Sequence, residues 1–156
     1  MPLSEHIREY LNSHHVTYEL LGHAQAFAAR EVARRLEVSD RQFAKAVVLH
    51  ADGRLVMAVL PASRRLNFHE LKDALKVKHL EMAPETELSK LCPDCDVGGF
   101  PAFGNLYGMD VWVDRGLVDS DAITFNAGSH TEALQLKYSD FAKLVEPKIA
   151  NFADET

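Results

Sequence analysis

The sequence predicts an α/β chain of the α+β kind: a mixed, largely antiparallel sheet flanked by helices. Three observations carry that expectation. Helical and strand patterns alternate along the chain, yet several strand pairs lie too close together for a helical crossover between them. The β-branched runs "KAVVLH" (45–50) and "RLVMAVLP" (54–61) are separated by Ala51-Asp52-Gly53, the strongest hairpin signal present. No repeat, low-complexity tract or Pro/Ser-rich linker divides the 156 residues, so 1–156 is expected to form one domain.

Taken in order, Ser4 offers an N-cap and Ile7, Tyr10 and Leu11 fall at helical spacing, which predicts a helix over 4–13. "VTYELL" (16–21) reads as a short strand. "AAREVARRLEV" (28–38) places Ala29, Val32, Ala33 and Leu36 on one face and arginines elsewhere, an amphipathic helix. After the hairpin, Asn67 caps a helix in "FHELKDALK", "VKHLEMA" reads as a strand, and Pro84 opens a helix in "PETELSKL". A loop rich in glycine and proline then precedes the strand "MDVWVD". "AITFNAGSH" and "EALQLK" give two further strands joined by an Asn-Ala-Gly-Ser turn. Ser139 is expected to cap the closing helix "DFAKLV", which Pro147 ends.

The totals narrow the class. A hydrophobic share of 47% and a charged share of 26% are ordinary for a globular protein. A chain of this length buries roughly two-thirds of its unfolded surface and needs neither a disulfide nor a structural metal. The opening "MPLSEHIREY" has no apolar h-region and no run approaches a membrane span, so a cytoplasmic protein is expected. A net charge of −6 excludes a general nucleic-acid-coating surface, because phosphate contacts need clustered Lys and Arg. Two basic stretches remain, Arg30, Arg34, Arg35 and Arg41, then Arg64, Arg65, Lys72, Lys76 and Lys78; they read as a local basic rim or as solvated helix faces.

Cys92 and Cys95 form a single C-x-x-C. Zinc would need two more ligands, and no second C-x-x-C or H-x-x-x-H exists in the chain. A redox dithiol wants the motif opening a helix after a strand. Pro93 and Asp94 inside the pair, with Gly98 and Gly99 after it, read instead as loop, so two free loop thiols in a reducing compartment are expected.

Three features remain once packing residues are set aside. Lys45 starts an apolar strand, sharing a face with Val47 and Leu49, with Ala44, Ala46 and Val48 opposite. It is either a strand-end lysine that snorkels to water or a fixed cation for a phosphate or carboxylate. In "GGFPAFGNLYGMDVWVD" (98–114), Gly98 and Gly99 admit positive φ and close approach, and Pro101 stiffens the residues after it. Such a loop is a common turn, or a nest of N–H groups for an anion or carbonyl. "NAGSH" ends in His130, at a loop edge or simply in solvent.

Together and in this order, the lysine heading a hairpin, the G-G-x-P loop before a strand and A-G-S-H before another resemble the YbaK / prolyl-tRNA synthetase-associated domain family of aminoacyl-tRNA deacylases. The resemblance runs from "HAQAFAAREVARRLEV" through "FAKAVVL", "GRLVMAVLPASRRLN" and the glycine loop to "ITFNAGSHTEALQL". It implies a sheet curved into a partial barrel, flanked by helices, with the pocket on the open side. It also implies hydrolysis of mischarged tRNA. The family lysine falls on Lys45, the first glycine of its G-x-x-x-P loop on Gly98, and its histidine on His130. The family proline position is Ala102 here, with Pro101 one place earlier, a departure that bears on substrate choice.

The chemistry expected of these residues is modest, since an aminoacyl ester is already activated and no Ser-His-Asp or metal constellation is needed. Amides of Gly98, Gly99 and Phe100 would bind the developing oxyanion while water attacks, helped by a ribose hydroxyl. Lys45 would anchor the phosphate or ribose end, and His130 would orient substrate or water. Asn126 and Ser129 could hydrogen-bond in the same site, and Pro101, Ala102 and the aromatics Phe100, Phe103 and Tyr107 with Leu106 could shape it. No cofactor or metal is expected. The partners implied are the acceptor end of mischarged tRNA and a synthetase or elongation factor that delivers it, with no membrane and no DNA. A non-catalytic tRNA- or synthetase-binding module on the same fold is the alternative.

Overall fold

The hairpin forms as its turn residues demand. Asp52 (φ 48°) and Gly53 (φ 84°) both take the left-handed conformation that suits a two-residue hairpin loop. They join β2 (Ala44–Ala51) to β3 (Arg54–Pro61), which pair antiparallel from Ala44↔Pro61 to Ala51↔Arg54. The computed structural model describes residues 5–22, 43–93, 95, 100–128 and 132–155. The helix expected over 28–38 and the cap at Ser4 lie outside the described residues.

Around the hairpin the described elements are α1 (Glu5–Ser13), β1 (Tyr18–Gly22), β4 (Arg64–Leu66), α2 (Phe68–Leu75), β5 (Leu80–Met82), α3 (Glu85–Leu91), β6 (Asp110–Asp114), β7 (Ala122–Asn126), β8 (Glu132–Lys137), α4 (Tyr138–Val145), β9 (Lys148–Ala150) and β10 (Ala153–Glu155). Single 3-10 turns occupy Gly104–Tyr107 and Arg115–Leu117. One sheet has the order β5-β2-β3-β6-β9, a second β1-β8-β7, and β10 pairs with β4. The β3–β6 and β6–β9 pairings are parallel and the other strand pairings antiparallel, so the sheet is mixed as the sequence predicts. The two larger sheets meet at one parallel bridge, Phe43↔Thr124, and among the described residues they do not close into a barrel. No described helix is long and apolar enough to cross a membrane.

Alternation along the central strands feeds two cores. Ala44 and Val48 of β2, Met57 and Val59 of β3, and Val111 and Val113 of β6 share one cluster with Phe103, Phe125 and Phe141. Leu49, Ala51, Val56, Ala58 and Leu60 face the other way, onto Leu71 of α2 and Phe152 near the C-terminus. Asn67 caps α2 as expected, its side chain accepting from the Glu70 N–H at 3.0 Å.

Three expectations are corrected. Ser139 does not cap α4: the helix starts at Tyr138, Lys137 is its N-cap, and no side chain caps it. Burial of Tyr138 and its N–H bond to the Asp121 carbonyl, 3.0 Å, set that start instead of a local hydroxyl. "VKHLEMA" contributes only Leu80–Met82 as strand, because Lys78 and His79 donate their N–H groups to the Asp52 carboxylate rather than to a ladder. Cys92 and Cys95 are not two free thiols but a disulfide, closed by a turn in which the Cys95 N–H bonds the Cys92 carbonyl at 3.0 Å.

Candidate active site

The Phe43↔Thr124 bridge organises the site. Partners in a parallel bridge point to the same face, and side chains alternate along each strand, so Lys45 of β2 and Asn126 of β7, each two residues past the bridge, lie on the bridge's face of their strands. Phe125 and Ala127 point the other way, into the main core with Ala44 and Ala46. Lys45 is half-buried, and desolvation pushes its ammonium below the usual lysine value. Among the described residues no carboxylate pairs with it. Asn126 is 5% exposed.

The same face holds two polar groups that the sequence reading does not single out. Thr124, fully buried, accepts a hydrogen bond from the Gln135 side-chain amide at 2.9 Å across the β7–β8 pair. The signal was available in "TFN": Thr124 and Asn126 lie two apart on a strand and must share a side. Phe43, Thr124 and Ala133 are all buried here, outside both apolar clusters.

The glycine loop reaches the described residues at Phe100. Phe100, Pro101 and Ala102 are buried, and Phe100 and Ala102 belong to the main core. Phe103 is core rather than lining, packed edge-on against Tyr10 and Phe125 at 5.6 and 5.3 Å between ring centroids. Gly104 fits because a Cβ there would meet the Met57 Cβ at 3.0 Å and Val111 at 3.1 Å. Gly128 (φ 93°) makes the turn after β7, where the Ala127 N–H bonds the Glu132 carbonyl at 3.0 Å. Gly98, Gly99, Ser129 and His130 lie outside the described residues. The structure thus brings Lys45 and Asn126 to one face and Phe100 and Ala102 to the opposite side of the same strands. No group of three or more His, Cys, Asp or Glu among the described residues could hold a metal ion.

A half-buried cation and a buried carboxamide on one face are groups that can hold an anionic or hydroxyl-bearing ligand. Over 142 residues the chain is 27% identical to the multifunctional Ser/Thr-tRNA deacylase ProXp-y of Escherichia coli, covering 88% of this chain and 81% of that protein. It is 31% identical over 93 residues to the proline–tRNA ligase of Elusimicrobium minutum, 60% of this chain but only 15% of the ligase. A solved structure proposed to be a trans-editing enzyme for prolyl tRNA synthetase superposes with a TM-score of 0.83 at 16% identity, covering 98% of this chain and 99% of that one. At that identity the likeness is one of fold. The family model of the aminoacyl-tRNA editing domain matches residues 23–144, and the chain belongs to that family.

Proposed function

We propose that the chain acts in trans, in the cytoplasm, as the hydrolase of mischarged aminoacyl-tRNA, with the 3′-terminal aminoacyl-adenosine held at the Lys45–Asn126 face. Family membership supports ester hydrolysis. The observation that supports the placement is the Phe43↔Thr124 bridge, which puts a half-buried ammonium and a buried carboxamide on one face, the carboxamide on the strand whose chain runs on to His130. A cation that has already lost part of its hydration attracts a phosphate or ribose oxygen more strongly than an exposed one. Lys45 is therefore an anchor.

Main-chain N–H groups of Gly98 and Gly99, on the chain just before the core residue Phe100, receive the carbonyl oxygen as it gains charge. Water adds to the carbonyl carbon, the bond to the ribose oxygen breaks, and that oxygen takes a proton, leaving a free amino acid and intact tRNA. His130 orients the water or the substrate, and Asn126 and Ser129 hydrogen-bond the amino acid. Pro101 and Ala102 fix the path of the loop, Ala102 through its burial in the core. Buried polar side chains reject an apolar isostere far better than an apolar pocket rejects a polar one. Asn126, Thr124 and Gln135 thus favour a small hydroxylated acyl group over alanine or proline, in keeping with the name of the Escherichia coli relative. A synthetase or elongation factor delivers the substrate.

The test is deacylation of tRNAs charged with serine, threonine, alanine, cysteine and proline. Seryl or threonyl ester should be released fastest, with Lys45→Ala slowing release by about 100-fold, the scale of a lost electrostatic contact, and His130→Ala slowing it less. Release unaffected by Lys45→Ala would remove Lys45 from the site. The second reading, a non-catalytic binding module, is favoured by Ala102 at the family's proline position; a well-folded protein that releases nothing across the panel would select it.

A further inference from the structure

The C-x-x-C pair is left unused by the deacylation chemistry, yet it touches both loops on which that chemistry depends. Cys92, which follows α3, is 7% exposed and bonded to the partly exposed Cys95. The Tyr107 hydroxyl donates a hydrogen bond to the Cys92 sulfur at 3.6 Å, and the Tyr107 ring meets Phe100 edge-on at 4.9 Å between centroids. On its other side, Cys95 Sγ lies 3.7 Å from where a Cβ on Gly128 would be, so the sulfur rests against the backbone of the turn that leads to His130. One covalent unit therefore contacts the exit of the glycine loop through Tyr107 and the Ala127–Gly128 turn directly.

We propose that Cys92–Cys95 is a thiol-exchange site that tunes the deacylase: the disulfide braces the turn and the loop, and the dithiol releases them. The inference rests on the deacylase reading. A thiolate of a small dithiol reductant attacks Cys95, the more accessible sulfur; the S–S bond breaks and a mixed disulfide forms. The electron pair leaves on the Cys92 sulfur, where the Tyr107 hydroxyl already donates, and a proton completes the Cys92 thiol. The reductant's second thiol then displaces Cys95, which leaves as a thiol after taking a proton. In all, two electrons and two protons pass to the protein, and the reductant becomes a disulfide. A disulfide oxidant reverses the sequence. Once Cys95 is free to rotate, nothing covalent holds its sulfur against Gly128, and the backbone beside His130 loses a fixed neighbour.

The experiment uses the full chain, poised with oxidised or reduced dithiothreitol. Thiols are counted by alkylation and mass spectrometry, deacylation of seryl-tRNA is followed, and amide exchange at Gly128 is read in the same samples. Reduction should expose both thiols and speed Gly128 exchange. It should lower kcat by about fivefold with KM changed less than twofold, a moderate loss for a site loosened but not dismantled. Re-oxidation should restore all three. The Cys92→Ser/Cys95→Ser variant should remain at the reduced value in both buffers. The proposal is overturned if the thiols stay alkylatable after oxidation, if both states show equal kcat and equal Gly128 exchange, or if the double variant still responds to the buffer. If neither state releases any amino acid, the deacylase reading fails on its own. The brace is then judged by Gly128 exchange alone, supported by a rise on reduction and overturned by none.

Discussion

Lys45 is where stability and activity pull apart. Burial lowers its pKa from the ordinary lysine value of 10.5 with no described counter-charge to offset it. Below the folded-state pKa both states carry the ammonium, and folding bears its desolvation. As pH rises from the folded-state pKa towards 10.5, the native state sheds its proton first and that cost is relieved. Lys45→Met removes the charge and keeps most of the stem. At pH 7 the variant should unfold about 0.5–1 kcal/mol less readily than the parent, the usual scale for removing a functional compromise. The advantage should shrink as pH approaches 10.5. Urea melts at pH 7 and pH 10 check this, and a variant less stable at pH 7 would mean that the ammonium has a stabilising partner. The lysine itself was legible in the sequence, since a charge heading an apolar strand stands out. That Asn126 shares its face was not, because the bridge before β2 joins segments about 80 residues apart and no local pattern encodes it.

At the scale of elements, the hairpin was readable because Asp52-Gly53 does two jobs that both leave a local trace. The pair supplies two positive φ angles, and the Asp52 carboxylate accepts the Lys78 N–H at 3.2 and 3.1 Å and the His79 N–H at 2.8 Å. Those backbone bonds, aided by the nearby charges of His79 and Lys78, hold its carboxyl below the usual 3.8. The clasp on the segment entering β5 is therefore present above the unfolded pKa and is lost as pH falls through the depressed folded one. Amide exchange at Lys78 and His79 should speed up in acid, at a pH below 3.8, while Asp52→Asn flattens that dependence. An unchanged profile in the variant would show that the carboxylate does not hold these amides. What the sequence hid were three of the four three-residue strands. β4, β9 and β10 are too short for alternation to be seen, and they exist because buried Asp114 accepts the N–H groups of Phe152 and Ala153 at 2.9 and 3.1 Å, pinning the C-terminal segment back onto β4. The disulfide escaped for a similar reason: a C-x-x-C in a loop specifies proximity but not bonding.

For the whole molecule, the decisive quantity is charge. A net −6 on 156 residues opposes any broad grip on a polyanion, yet the proposed substrate is one. The two are compatible if only the acceptor end enters, so that Lys45 and few other cations meet the last phosphates while the body of the tRNA stays clear. Counterion release turns this into a number. Contact with two or three single-stranded phosphates gives a slope of log K against log salt of about −2, where a protein gripping the stem would show −5 or steeper. Fluorescence anisotropy of uncharged tRNA between 50 and 200 mM salt should return weak binding with the shallow slope, and Lys45→Ala should flatten it further. A steep slope would place a basic surface elsewhere on the molecule in contact with the stem, and the chain would then find its substrate without a delivering partner.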